Sequence, residues 1–195
     1  MRISGGTLAG RKVAVPPGII RPSMDRMRES VFAALGDLGG LSFLDLFSGS
    51  GVIALEAASR GASPVEAVEA DRKKAKTLLS NTAISPIAIQ CHFISSELYV
   101  KRSKKKFNII FCDPPFPYKY KSQLVLSIGA SLMYHIDENP GNFAETSTLL
   151  IHRPRSEQLD LSSETIRLSI TETRHYGNSS VDFIKSYRQT KKILD

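Results

Sequence analysis

Asp113-Pro114-Pro115-Phe116 is the segment of this chain best equipped for chemistry. Consecutive prolines fix φ and remove backbone donors, so the turn is stiff and offers carbonyl oxygens without competing N–H groups. The Asp113 carboxylate and the Pro114 carbonyl could together accept both hydrogens of one exocyclic amino group, with Phe116 free to stack on the ring that carries it. In isolation the tetrapeptide also reads as a rigid strand-to-loop turn with a solvated Asp. The residues before it, Phe107 to Cys112, are apolar, aromatic or β-branched apart from Asn108, the pattern of a buried strand.

A second constellation is Ser48-Gly49-Ser50-Gly51, which follows the strand-like run Leu41 to Phe47 and precedes a helical pattern ending near Arg60-Gly61. Two glycines let the backbone turn sharply and let a ligand approach the first N–H groups of the helix. Alone, they mark only a tight turn. Roughly 20 residues further on, Glu69 closes another strand pattern, where a nucleotide-binding α/β fold places a carboxylate on ribose hydroxyls. The loop lacks the lysine of a phosphate-gripping P-loop, and Ala54 at the third fingerprint position leaves a dinucleotide possible. An amine-holding turn, however, needs a group donor, which neither a nicotinamide nor a flavin supplies. S-adenosylmethionine fits, with its ribose on Glu69 and its amino-acid end near Asp45 and the Gly49–Gly51 backbone.

The elements that must position these residues alternate along the chain. Strands are expected near 41–47, 64–69, 88–94, 107–112 and 147–152, and helices near 24–35, 51–60, 71–83 and 119–134. Two further strands, about 164–173 and 180–188, flank the turn Tyr176-Gly177-Asn178-Ser179. The expected fold is α/β: a Rossmann-like, mostly parallel sheet with an antiparallel carboxyl-terminal pair. Residues 1–20, rich in glycine and basic residues, read as an appended β-hairpin, with the main domain over 21–195.

Composition bounds the function. The chain has 195 residues, 42% of them hydrophobic and 23% charged, which is globular and sufficient for a full core. Two separated cysteines argue against a disulfide framework or zinc site and for a reducing cytoplasm. No segment reads as a membrane span or an apolar leader. A net charge of +7 suggests a polyanionic partner.

Taken together, these motifs resemble the bacterial small-subunit ribosomal RNA guanine-N2 methyltransferases. The resemblance runs nearly end to end. It includes Gly5-Gly6, Gly10-Arg11-Lys12, Val15-Pro16-Pro17-Gly18, Arg21-Pro22, Asp25-Arg26 with Arg28-Glu29, Leu44-Asp45-Leu46-Phe47, Gly49-Ser50-Gly51, Glu69, Asp71-Arg72, Asp113 to Phe116, and Tyr176-Gly177. It implies S-adenosylmethionine as cofactor, no metal, and 16S rRNA, within an assembled or assembling 30S subunit, as substrate of a monomeric enzyme. It also implies a catalytic Asp113-Pro114-Pro115-Phe116 and a cofactor site of Asp45, Phe47, Gly49, Ser50, Gly51, Glu69 and Ala70. Ser95 and Ser96 stand where the family usually carries an Asp near the adenine, so that contact must be weaker, water-mediated or made by backbone. Arg2, Arg11, Lys12, Arg21, Arg26 and Arg28 are expected on RNA phosphates, whereas the run Lys101 to Lys106 reads either as a second RNA contact or as a solvated loop. Tyr118 could join Phe116 in stacking. The fifth strand runs into His152-Arg153 rather than the acidic residue common in the family, and His152 is given no catalytic role. An adenine-N6 methyltransferase and a non-catalytic RNA-binding protein of the same fold are the alternatives.

Overall fold

A computed structural model describes residues 1–15, 22–115, 143–157, 159 and 168–186. Its centre is a seven-stranded sheet. The strands are β1 (Phe43–Leu46), β2 (Val65–Val68), β3 (Ile89–His92), β4 (Phe107–Cys112), β5 (Phe143–Pro154), β6 (Leu168–Tyr176) and β7 (Ser179–Ser186), in the spatial order β3-β2-β1-β4-β5-β7-β6. The first five run parallel, and β7 inserts antiparallel between β5 and β6. The order reverses between β1 and β4, so the loops leaving these two strands diverge at the carboxyl edge. That is the crevice in which open α/β sheets bind ligands.

The central strands β1, β2 and β4 are covered on both faces, which is why they are apolar at most positions, whereas the edge strands β3 and β6 are more polar and more exposed. Period-two alternation sorts the side chains. Phe43, Ala67, Ile109 and Phe111 pack in one cluster with Val31, Phe32, Leu55 and Leu78, contributed by α1 (Pro22–Leu35), α2 (Val52–Ser59) and α3 (Ala75–Thr82). Leu44, Leu46, Ile110 and Cys112 face the opposite way, with Tyr99 and Val100 of α4 (Ser96–Arg102). All eight residues of α2 are buried, Glu56 included.

Several expectations are revised. The helix expected over 71–83 is a 3-10 turn, Arg72–Lys74, followed by α3. Helix α4 was not anticipated; Ser95 caps it by accepting the Leu98 N–H at 3.2 Å, with Glu97 in its first turn and Lys101 and Arg102 in its last. Strand β5 starts earlier, at Phe143. The amino-terminal hairpin is short: one antiparallel bridge, Arg2 to Lys12, flanked by bonds from the Ile3 N–H to the Arg11 carbonyl and from the Val13 N–H to the Met1 carbonyl, around a 3-10 turn at Gly6–Leu8. It is not merely appended, because Ile3 and Val13 sit in the main core. The helix expected over 119–134 lies outside the described residues. Among the described residues, no helix is long and apolar enough to cross a membrane.

Candidate active site

The glycine loop is held by side chains from three elements. Leaving β1, Phe47 takes a φ of 63°, a left-handed conformation seldom adopted by a bulky residue. Gly49 and Gly51 follow with φ of 57° and 79°, and Gly51 precedes α2. The two glycines do different work. A Cβ on Gly51 would lie 2.6 Å from Leu78 Cδ1, so this glycine permits close packing on α3. A Cβ on Gly49 would meet only the Phe47 carbonyl, at 3.9 Å, so the space over the loop is open. From the end of β2, Glu69 accepts the Gly49 N–H and the Asp71 N–H, each at 2.8 Å, with Lys74 Nζ at 3.6 Å. Asn81 of α3 donates to the Ser50 carbonyl at 2.8 Å.

Beneath the loop, Asp45 is 1% exposed and its Oδ2 accepts from Ser48 Oγ at 2.5 Å and from the Ala54 N–H at 3.1 Å. Burial pushes its carboxyl up to about 7. The two hydrogen bonds oppose this, and the neighbouring charges of Asp113 and Glu69 add to it. Three carboxylates therefore share one electrostatic neighbourhood at the strand ends.

Asp113 follows β4, whose last residue, Cys112, is in register with Leu46 of β1. Its N–H reaches the Leu46 carbonyl at 3.4 Å, so the acidic bend and the glycine loop depart from paired strands at the same edge. The Asp113 carboxylate is partly exposed, and its Oδ1 lies 2.7 Å from His152 Nδ1 on β5. The contact of His152 with Asp113 is what sequence reasoning did not show. The available signal was a histidine at the carboxyl end of a strand, and only the sheet order reveals what it faces. Pro114 is buried and Pro115 exposed; Phe116 and Tyr118 lie outside the described residues. Ala70 is exposed after Glu69, Ser95 Oγ serves as the α4 cap, and Ser96 is buried at the start of that helix.

The basic residues divide. Arg2, Arg11, Lys12 and Arg26 are exposed. A cavity of about 440 Å³ opens between the amino-terminal bridge and α1, lined by Met1, Arg2, Lys12, Val13, Asp25, Arg28 and Glu29. Arg28 corrects the expectation of a phosphate contact. It is 2% exposed, and its guanidinium is engaged by Asp25 Oδ1 at 2.8 Å, the Arg2 carbonyl at 2.6 Å and Glu56 Oε2 at 3.3 Å. Its charge is already neutralised inside the protein, where it fastens the amino-terminal segment. Arg21 lies outside the described residues. The lysine run precedes β4, at the sheet edge opposite Asp113. Within it, Lys105 Nζ is bound to Glu66 Oε1 at 2.5 Å and Gln90 Oε1 at 2.8 Å.

Comparison with known proteins agrees with this architecture. The chain is 38% identical over 121 residues to ribosomal RNA small subunit methyltransferase D of Escherichia coli strain K12, the aligned segment spanning 60% of each chain. The fold of the Escherichia coli protein yhhF superposes with a TM-score of 0.78 at 24% identity, over 97% of this chain and 99% of that one. SMU.776, solved in complex with SAH, superposes with a TM-score of 0.63 at 14% identity, over 85% of this chain and 50% of that one. With its Rossmann-like methyltransferase fold, the chain belongs to the family described as conserved hypothetical protein 95, whose model matches residues 1–185.

Proposed function

We propose that the protein transfers a methyl group from S-adenosylmethionine to the exocyclic N2 of a guanine in 16S ribosomal RNA. The observation that carries this reading is the meeting of the acidic bend and the glycine loop at one sheet edge, joined by the Asp113 N–H and the Leu46 carbonyl. The cofactor fits the residues present. Each Glu69 oxygen accepts one backbone N–H and retains a lone pair for a ribose hydroxyl. The open side of Gly49 leaves room for the amino-acid end, and the carboxylates at the strand ends give a negative potential suited to a sulfonium. When bound, S-adenosylmethionine supplies an electrophilic methyl carrying positive charge.

The chain's own part is positioning and electrostatics. The exocyclic nitrogen of guanine is a weak nucleophile because its lone pair is delocalised into the ring. Asp113 and the Pro114 carbonyl accept the two amino hydrogens, favouring a pyramidal nitrogen with its lone pair directed toward the glycine loop. As positive charge develops on that nitrogen, the Asp113 carboxylate stabilises it, and the nitrogen, acidic only once the methyl has arrived, then releases one proton to solvent. Orientation supplies much of the remaining rate. A base stacked in a duplex cannot enter such a bend, so the guanine is unpaired or flipped, with Phe116 as stacking surface. Arg2, Arg11, Lys12 and Arg26 hold the RNA backbone, in a subunit that is assembled or assembling in the cytoplasm, with the enzyme as a monomer.

Incubation with radiolabelled S-adenosylmethionine and 16S rRNA or 30S particles, followed by nucleoside analysis, tests this proposal. Label in N2-methylguanosine is expected. Label confined to N6-methyladenosine would transfer the same geometry to adenine, and the absence of label and of cofactor binding would reduce the protein to an RNA-binding module.

A further inference from the structure

We propose that His152 is a positioning residue that orients the Asp113 carboxylate toward the substrate amine, an inference that rests on the methyl-transfer reading. Asp113 needs such a fixed point. It lies one residue beyond β4, its N–H makes a long ladder bond of 3.4 Å, and two prolines follow it. Rotation about the terminal carboxylate torsion is soft, so the backbone alone does not decide which oxygen faces the crevice. His152 is better anchored. It sits inside β5, paired on one side to β4 through Ile151 and Cys112, and on the other to β7 through its own register with Val181. Its side chain is 6% exposed against 20% for Asp113. The sheet sets the place of the imidazole, and the imidazole sets the place of the carboxylate.

The chemistry of the pair supports one assignment of roles. An ionised carboxylate only accepts, so at 2.7 Å His152 Nδ1 donates to Asp113 Oδ1. That commits Oδ1 and leaves Oδ2 for the amino hydrogen. A histidine can donate without bringing a permanent charge, so Asp113 keeps the negative charge needed to stabilise a developing cation. The neighbouring Arg153 would have cancelled that charge, but its guanidinium is directed to Asp182, with contacts of 2.5 and 3.1 Å.

Two measurements on the full chain test the assignment. In proton NMR without ligand, the His152 Nδ1–H should give a hydrogen-bonded resonance downfield of the amide envelope, lost in His152→Leu and shifted upfield in Asp113→Ala. In methyl transfer, His152→Leu should lower kcat about tenfold or more, with KM for S-adenosylmethionine within about twofold. His152→Asn, which places an N–H donor near the position of Nδ1, should restore most of the loss. Should the leucine variant not fold, His152→Gln, whose donor sits one bond further out, replaces it and should remain impaired. Wild-type kcat in His152→Leu, or equal impairment in the asparagine and leucine or glutamine variants, would overturn the proposal, as would absence of the downfield resonance. If wild-type protein methylates no RNA, the methyl-transfer reading fails, while the NMR result still decides whether the pair exists.

Discussion

Among the described residues, buried carboxylates fall into two sets with opposite surroundings. Glu56 is 0% exposed and meets Arg28 at 3.3 Å and Arg60 at 3.0 Å, while also accepting from Ser4. Asp182 is equally buried and meets Arg153. At Glu66, burial pushes the carboxyl up, but contacts with Lys105, Tyr99 and His92 outweigh it and hold the group below its usual range. Asp45 is buried as deeply, yet it is served by a hydroxyl and one N–H and faced by the charges of Asp113 and Glu69. Among the described residues, a cation lies within 3.0 Å of each carboxylate that fastens the scaffold, whereas at the strand ends Lys74 approaches Glu69 only to 3.6 Å. The first set is structural, and the second leaves a negative potential where a positively charged donor would lie.

If this division is sound, the largest effect on activity falls on a residue of little structural weight. Asp113→Asn should lower kcat by about 10²-fold or more while leaving the melting temperature nearly unchanged, measured with labelled cofactor and by thermal unfolding. Glu56→Ala should do the reverse. Arg28 and Arg60 would lose their shared partner in a buried setting, at a cost of about 3–5 kcal/mol in denaturant unfolding. An Asp113 variant that unfolds, or a Glu56 variant of unchanged stability, would erase the distinction.

The pH dependence sharpens it. Asp45 is pushed up to about 7 in the folded chain, from 3.8 as the ordinary value. Between about pH 4 and 7 the unfolded chain has lost this proton while the folded chain keeps it, so stability falls as pH rises across that window and levels off above it. Asp45→Asn removes the term. The stability of the variant relative to wild type should therefore grow by about 1–4 kcal/mol from pH 5 to pH 8, read from urea unfolding at both values. A difference constant with pH would mean that Asp45 is neutralised by a partner.

The sequence made this site legible where backbone chemistry is local. Gly49, Gly51 and the prolines after Asp113 restrict or free φ at their own positions, so the turns could be placed without the fold. The place of Glu69 beside the glycine loop followed from spacing along one βα unit. Arg28 was misread, and the contact of His152 was invisible, because their partners, Glu56 and Asp113, lie 28 and 39 residues away. A basic residue in a basic segment signals charge, whereas burial against a helix is decided by packing. The hairpin expected at the amino terminus is short for a related reason: Ser4 gives its N–H to Glu56, and Ala14 exchanges both backbone bonds with the Asn81 side chain. Helix α4 was hidden because Ser95, its cap, was assigned to the cofactor.

The smallest effects are expected from the exposed cations, and they separate the amino-terminal segment from the lysine run. Arg11 and Lys12 are exposed on the segment that Glu56 and Asn81 hold against α2 and α3. Each phosphate contact removed reduces the slope of log affinity against log salt by roughly 0.7–0.9. An Arg11→Ala/Lys12→Ala variant should thus bind 16S rRNA with a slope shallower by between one and two, measured by filter binding across a salt series. Lys104→Ala/Lys106→Ala should leave the slope unchanged, because these residues lie at the sheet edge opposite Asp113 and an RNA seated in the acidic bend departs from the other edge. Equal changes in the two variants would mean that RNA wraps both edges of the sheet, and the cation-rich surface would then extend well beyond the segment that Glu56 anchors.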